Sequence, residues 1–259
     1  MEVKGENVRI GYGEHIVIDE IDITVKKGEI TTIIGPNGSG KSTVLKALTR
    51  LLDFKVGNIN VDEIDIRKIG NKELAKKMGV LPQRHQAPPD FKVKDLVAFG
   101  RMPYQKWFNG NSPEDIEIIN WAMKQADIYD LREKSVMTCS GGQAQRVWIA
   151  TVLAQQPQIL FLDEPTTFLD ISYQLETMKL LKRLNRTSGI GVVMVLHDLS
   201  HALEVSDKIV VIKDGKKYSE GTPAEVVTPT MMKEVYGVDC EIVFVPGRTN
   251  PVLAYDEII

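Results

Sequence analysis

Apolar and polar residues alternate through Ile21, Ile23 and Val25, the period of a strand with one buried face. Lys26-Lys27-Gly28 breaks that pattern as a turn. Ile30–Ile34 follows as a β-branched run, suited to a strand buried on both faces. From Lys41 the period becomes helical, with Val44, Leu48 and Leu51 predicted on one face. Residues 35–52 therefore read as strand, glycine-rich loop, helix.

The middle of the chain differs. Residues 83–90 (QRHQAPPD) are polar and proline-bearing, which predicts a loop. Ser112-Pro113-Glu114-Asp115 is a helix start, with Ser112 as cap, proline first and acids in the first turn. Ile116, Ile119 and Met123 then mark its apolar face. A further helix begins at Gly141 and stops before Pro157. Residues 84–148 thus read as a mostly helical insertion. After it, strands at 158–162, 191–196 and 209–213 alternate with helices at 172–185 and 199–205. Asp214-Gly215 makes a hairpin turn into 216–219. Thr222-Pro223 and Thr228-Pro229 each read as a cap followed by a first helical residue. Strands separated by helices predict an α/β fold with a mainly parallel sheet covered on both faces. There is no internal repeat and no low-complexity segment, and residues 246–251 (PGRTNP) read as a turn.

Composition narrows the function classes. The 259 residues carry 32 Lys+Arg against 35 Asp+Glu, a net charge of −3, and no basic run stands out, so nucleic acid is not an expected partner. Cys139 and Cys240 lie too far apart for a disulfide framework or a metal-ligand pattern, and they read as reduced thiols of a cytosolic protein. The N-terminus lacks the apolar core of a signal peptide. No apolar stretch approaches the ~18 residues of a membrane span. Service to a membrane would require docking on a partner that spans it.

Two motifs carry the chemistry. Gly35-Pro36-Asn37-Gly38-Ser39-Gly40-Lys41-Ser42-Thr43 fits the phosphate-loop pattern in full and lies between a predicted strand and helix. Its glycines let successive backbone N–H groups face an anion at a positive helix end. Lys41 is placed to reach the β/γ-phosphates, the Ser42 hydroxyl to hold Mg²⁺, and the Thr43 N–H to add a phosphate contact. In the second motif, residues 159–164, an apolar strand ends in two acids. Asp163 suits Mg²⁺, and Glu164 suits the orientation and deprotonation of water. Together they predict a P-loop ATPase using ATP and Mg²⁺.

Cys139-Ser140-Gly141-Gly142-Gln143 narrows this further. Ser140 caps the next helix and two glycines bare its amide end, a second anion site on one chain. Here the sequence resembles the ABC-transporter ATPases, whose signature is Leu-Ser-Gly-Gly-Gln followed by a basic helix, which Arg146 begins. Cys139 and Ala144 depart from the usual pattern. The resemblance runs from Val8 to about Gly237. It implies a P-loop core with an N-terminal antiparallel β layer (1–83 and 149–237), a helical subdomain (84–148) and a C-terminal tail (238–259). It also implies that Tyr12 stacks on adenine, Gln83 touches Mg²⁺ or water, and His197 contacts the γ-phosphate. Ser140, Gly141, Gly142 and Gln143 then meet ATP held by a second copy, and Asp170 lies in the loop that crosses this homodimer.

A finer likeness concerns cargo. Residues 96–104 (LVAFGRMPY), 140–150 (SGGQAQRVWIA), 164–172 (EPTTFLDIS) and 196–199 (LHDL) resemble importers of ferric siderophores, haem and vitamin B12, the siderophore group above all. The resemblance implies a subunit that hydrolyses ATP at the cytoplasmic face of the membrane, bound to permease subunits and served by a substrate-binding protein. Iron chelates are the favoured cargo over cobalamin, haem or oxyanions. A DNA-repair ABC ATPase would carry a long heptad insertion before the signature, and a translation-type ABC protein would carry two ATPase halves. This chain has neither.

Overall fold

The computed structural model describes residues 1–83, 86–105, 110–246 and 251–258. In chain order, β1 (Glu2–Tyr12) and β2 (His15–Lys26) precede β3 (Ile30–Ile34), α1 (Lys41–Leu48), β4 (Phe54–Val61) and β5 (Ile64–Asp65). Next come α2 (Asn71–Lys77), β6 (Met78–Leu81), α3 (Val93–Ala98), α4 (Pro113–Gln125), α5 (Gly141–Leu153), β7 (Ile159–Asp163) and α6 (Ile171–Ser188). The last third holds β8 (Gly191–Val195), α7 (Leu199–Val205), β9 (Lys208–Lys213), β10 (Lys216–Gly221), α8 (Pro223–Val226), α9 (Pro229–Met231), β11 (Val238–Val243) and β12 (Val252–Ile258). Two compact units result. One joins Met1–Ile66 to Gly191–Ile259, and the other is Arg67–Ile190.

In the first unit, β1 pairs antiparallel with β2 and β4, and β4 with β5. β3 lies between β8 and β9, parallel to both, while β10 folds back antiparallel on β9. Asp214 and Gly215 both take positive φ, +48° and +73°, as a tight two-residue hairpin demands. All five residues of β3 and all five of β8 are buried, as runs of β-branched and apolar residues without a charge predict. Each such Ile or Val contributes roughly 1.5–3 kcal/mol of burial.

Two sequence expectations fail here. Leu51 does not extend the face of α1. The helix stops at Leu48, Arg50 turns left-handed (φ +57°), and the Leu51 amide closes back on Lys46 O at 2.8 Å. That reversal rotates Leu51 into solvent, 59% exposed. Ile116 likewise does not join Ile119 and Met123. The inner face of α4 runs through Asp115, Ile119, Ala122 and Met123, and Ile116 is turned about 100° off Asp115, into solvent.

The second unit centres on the parallel pair β6–β7 and the mutually packed helices α3, α4 and α5. Ser112 caps α4 through a reciprocal bond with Asp115. Residues 96–104 are locked by a buried ion pair. Arg101 Nε donates to Asp115 Oδ1 at 2.7 Å, its Nη1 to Ala154 O at 2.8 Å, and its guanidinium lies over the Tyr104 ring. Burial pushes the Asp115 carboxyl up, but Arg101 and Ser112 outweigh this and hold it below the ordinary aspartate value.

The sequence pattern assigns no element to residues 238–259. In the structure they form an antiparallel hairpin, β11 with β12, registered from Val238↔Ile258 to Val243↔Val252. Residues 247–250 of the expected 246–251 turn, and Arg84 and His85 of the expected 83–90 loop, lie outside the described residues.

Candidate nucleotide site and signature helix

The phosphate loop follows from strand register. Ile33 of β3 lies opposite Val195 of β8, so Gly35 and His197, each two residues further on, emerge at the same sheet edge. Ile34 lies opposite Val211 of β9, which brings Gly35 against Ile212 O. A Cβ on Gly35 would sit 2.0 Å from that oxygen. Gly35, Gly38 and Gly40 all take positive φ (+150°, +78° and +103°), and Pro36 O accepts the Ser39 amide at 3.2 Å to close the turn.

Several features suit this loop to an anion. Helix α1 has no side-chain cap and no acid in its first turn, so the amides of Lys41, Ser42 and Thr43 point outward at a positive helix end. The helices α4, α5, α6 and α7, in contrast, are all capped by a Ser or Asp side chain. Ser39 Oγ is buried and has no hydrogen-bond partner among the described residues. Lys41, itself buried, folds back to donate from Nζ to Gly35 O at 2.9 Å and Pro36 O at 2.8 Å. A buried ammonium held by carbonyls is a cation ready for a phosphate. Tyr12, at the end of β1, is half exposed. His197 is exposed, and Asp198 after it caps α7 through the amides of Ser200 (2.7 Å) and His201 (3.2 Å).

The same register logic builds a second cluster in the other unit. Leu81 of β6 lies opposite Leu162 of β7, so Gln83 and Glu164 leave the pair side by side. Gln83 Nε2 donates to Glu164 Oε2 at 2.6 Å. Thr167 Oγ1 donates to the same oxygen at 2.9 Å. Asp163 is buried at the strand end, and Glu164 adopts φ +54°, an unfavourable backbone for a non-glycine residue that fixes where its carboxylate points. These groups line a cleft of about 590 Å³ together with Gln145 and Phe168.

The signature stands at the start of α5. Ser140 Oγ accepts the Gln143 amide at 3.3 Å, and Gln143 Oε1 accepts the Ser140 amide at 3.2 Å. The two glycines differ. Gly141 is exposed with nothing closer to its Cβ position than Leu169 at 3.7 Å, whereas a Cβ on Gly142 would sit 2.1 Å from the Tyr173 ring of α6. Gly141 opens the helix end, and Gly142 permits close helix packing. Arg146 pairs with Glu176 of α6. Asp170 Oδ1 caps α6 through the Tyr173 amide at 3.2 Å. Cys139 and Cys240 are free thiols, and burial pushes both up.

Comparison with known proteins fits this geometry. Residues 18–167 match the family described as ABC transporter. The chain is 44% identical over 252 residues to the iron(3+)-hydroxamate import ATP-binding protein FhuC of Bacillus subtilis (strain 168), covering 97% of this chain and 94% of that protein. This chain belongs to the ABC transporter family. It is an ATPase of the cassette type. It is 41% identical over 251 residues to the ferric enterobactin transport ATP-binding protein FepC of Escherichia coli (strain K12), covering 97% and 93% of the two chains. Among solved structures it resembles the dimeric bacterial ABC transporter cassette MJ0796 at a TM-score of 0.73 and 32% identity, covering 85% of this chain and 98% of that one. ABC cassettes bind ATP and ADP, dimerise and work with transmembrane permease components. Among the described residues of this cassette, no helix is long and apolar enough to cross a membrane.

Sequence reasoning gave Thr167 no role at Glu164. Thr167 holds Glu164, and the signal was the i, i+3 spacing of acid and hydroxyl across a tight turn, closed by Thr167 N to Glu164 O at 3.3 Å.

Proposed function

We propose that this cassette energises uptake of a ferric-siderophore complex, docked on permease subunits at the cytoplasmic face of the membrane and served by a substrate-binding protein. The observation that carries the reading is end-to-end similarity above 40% to ATP-binding subunits for two chemically different iron chelates, hydroxamate and enterobactin. Cobalamin, haem and oxyanions remain the competing cargoes. Deletion of the gene, in a host without a duplicate, is expected to abolish growth on chelated iron and leave growth on abundant free iron intact. Loss of cobalamin uptake with normal uptake of every ferric chelate refutes the cargo.

The chemistry follows from the residues. ATP stacks its adenine on Tyr12 and sets its phosphates on the amides from Gly38 to Thr43. Lys41 exchanges the Gly35 and Pro36 carbonyls for the β- and γ-phosphate oxygens, and Ser39 Oγ gains the partner it lacks. A Ser hydroxyl (Ser42), a carboxylate (Asp163) and an amide oxygen (Gln83) are the hard oxygen donors that fit Mg²⁺. No group of three His, Cys, Asp or Glu among the described residues forms a cation cage, so the site depends on phosphate oxygens to complete it. Mg²⁺ held by these donors would neutralise charge on the phosphate oxygens. Glu164, aimed by Gln83 and Thr167, orients the attacking water and takes its proton, a contribution on the order of 10²–10⁴-fold. His197 contacts the γ-phosphate.

Neither copy completes the site alone. Ser140, Gly141 and Gln143 of a second copy meet the γ-phosphate at the open end of α5, Gly142 letting that helix seat, and Asp170, which caps α6, lies in the loop that crosses the dimer. ATP therefore joins a homodimer, hydrolysis releases it, and a helical lobe at residues 84–148 passes the motion to the permease.

A further inference from the structure

The segment before the signature is gripped by the one that opens α3. Phe91 O accepts the Val136 amide at 2.9 Å, the Val93 amide donates to Lys134 O at 3.0 Å, and the Lys94 amide donates to Arg132 O at 3.1 Å. The Lys134 N–H donates in turn to Leu131 O at 2.8 Å, so both backbone groups of Lys134 are tied. Its side chain does not take the acid next to it, because Glu133 pairs with Lys94 at 2.7 Å and Lys92 at 2.9 Å. Lys94 and Lys92 hold the Glu133 carboxyl down at about 2, charged and engaged. The half-buried Lys134 ammonium, with no carboxylate partner among the described residues, donates instead to Gln143 Oε1 at 3.3 Å.

Gln143 Oε1 also accepts the Ser140 amide at 3.2 Å. Two donors on one oxygen decide which way the amide faces. A flipped side chain would set its N–H₂ against an ammonium and a backbone N–H. Nε2, at the other end of the amide, keeps both N–H groups uncommitted among the described residues. The phosphates of ATP offer oxygen acceptors, so a free donor is the group they require. We propose that Lys134 is a positioning residue of the signature, fixing the Gln143 amide so that its N–H₂ is offered to the ATP of the second copy. The inference rests on the signature meeting that ATP. It gives Lys134 a part in closing the dimer through Gln143, without touching nucleotide itself.

Lys134→Met keeps the apolar stem and removes the ammonium, and Lys134→Arg keeps a cation. Both are placed in the Glu164→Gln chain, where ATP and Mg²⁺ are expected to hold the dimer, and dimer dissociation is read by light scattering. Loss of one charge-assisted bond weakens each site about tenfold. A dimer closes two such sites, so Lys134→Met should raise the dimer dissociation constant about a hundredfold. Lys134→Arg should stay within about fivefold of its parent. ADP binding to a single copy should stay within about twofold, because the phosphate loop belongs to the other unit. Beside Gln143→Ala, Lys134→Met should add less than about twofold, since the lysine acts through that amide. A role confined to folding would lower Tm and leave dimerisation of the folded chain unchanged, and that result overturns the inference. So does a Lys134→Arg variant as weak as Lys134→Met, or a full loss that persists beside Gln143→Ala. Ser140→Arg is the companion variant. If it dimerises with ATP as its Glu164→Gln parent does, or if that parent never dimerises, the signature does not meet the second copy's ATP and both readings fall. If it stays monomeric while Lys134→Met dimerises within twofold of the parent, this inference alone falls. Should Lys134→Met not fold, NMR relaxation of the Gln143 side-chain amide in the unaltered chain decides: a rigid N–H₂ supports the inference, and one as mobile as those of exposed glutamines overturns it.

Discussion

Gly142→Ala asks whether the second signature glycine serves ATP or helix packing. An added Cβ would lie 2.1, 2.4 and 2.6 Å from three carbons of the Tyr173 ring. The nearest contact is about 1.4 Å short of the ~3.5 Å at which carbons pack. One of the three atoms is Tyr173 Cγ, next to the backbone, so rotating the ring does not clear the overlap and α5 must retreat from α6. Overpacking of this kind costs about 2 kcal/mol, which in a chain this size lowers Tm by roughly 4–8 °C. The retreat also displaces Ser140, two residues away, by about an ångström, and misplacement on that scale reduces turnover by up to ~10²-fold. Nucleotide binding by the phosphate loop should not change. The assay is steady-state ATP hydrolysis with a parallel thermal melt and ADP titration, for Gly142→Ala, Tyr173→Ala and the double variant. If the clash is the cause, the double variant recovers turnover and shows a coupling energy above about 1 kcal/mol. An inactive Gly142→Ala that Tyr173→Ala does not rescue would refute the packing account. It would place Gly142 at the phosphate itself.

Ser140→Arg should leave ATP binding to a single copy intact and abolish turnover, because a bulky cation closes the helix end that meets the second copy's ATP; equal losses of binding and turnover, measured by titration and phosphate release, would place Ser140 in its own copy's site. Arg101→Met leaves the Asp115 carboxylate buried without its cation and should cost about 3–5 kcal/mol at neutral pH by urea unfolding. Asp115 is held below its ordinary value when folded, so its contribution is complete above the unfolded value of ~3.9 and is lost as pH falls through the lower folded value. The gap between Arg101→Met and the unaltered chain should therefore narrow in acid, and a gap that widens would contradict the pairing.

The legible parts of the sequence were those with strong local signals. β3 announces itself as an unbroken β-branched run and β8 as a run of valines around Met194, α4 by its Ser-Pro cap, and the β9–β10 turn by Asp214-Gly215. Of the phosphate loop and signature, the residue set was readable; the partners were not. The end of α1 was hidden because Arg50 enters the left-handed region without a glycine or proline to mark it. β11 and β12 are stabilised by pairing with each other; β11 (VDCEIV) alternates apolar with acidic residues over a short span, and β12 (VLAYDEI) does not alternate, so neither strand stands out alone. Gln83, Thr167 and Glu164 meet because two parallel strands share a register, which sets residue 83 beside residue 164. Contacts of that kind are properties of topology, and no window along the chain contains them.

The central claim, that ATP joins two copies and Glu164 then drives hydrolysis, is tested most directly by the oligomeric state of Glu164→Gln. The substitution keeps the shape and one acceptor for Gln83 and Thr167 but cannot take a proton from water, and it removes a charge that would repel the γ-phosphate. Turnover should fall by roughly two to four orders of magnitude. With ATP and Mg²⁺, size exclusion with light scattering should show a dimer, while ADP leaves the variant monomeric and the unaltered chain stays largely monomeric with either nucleotide. Normal ATP turnover by Glu164→Gln, or a variant that stays monomeric with ATP and Mg²⁺ even beside its permease, would contradict the account.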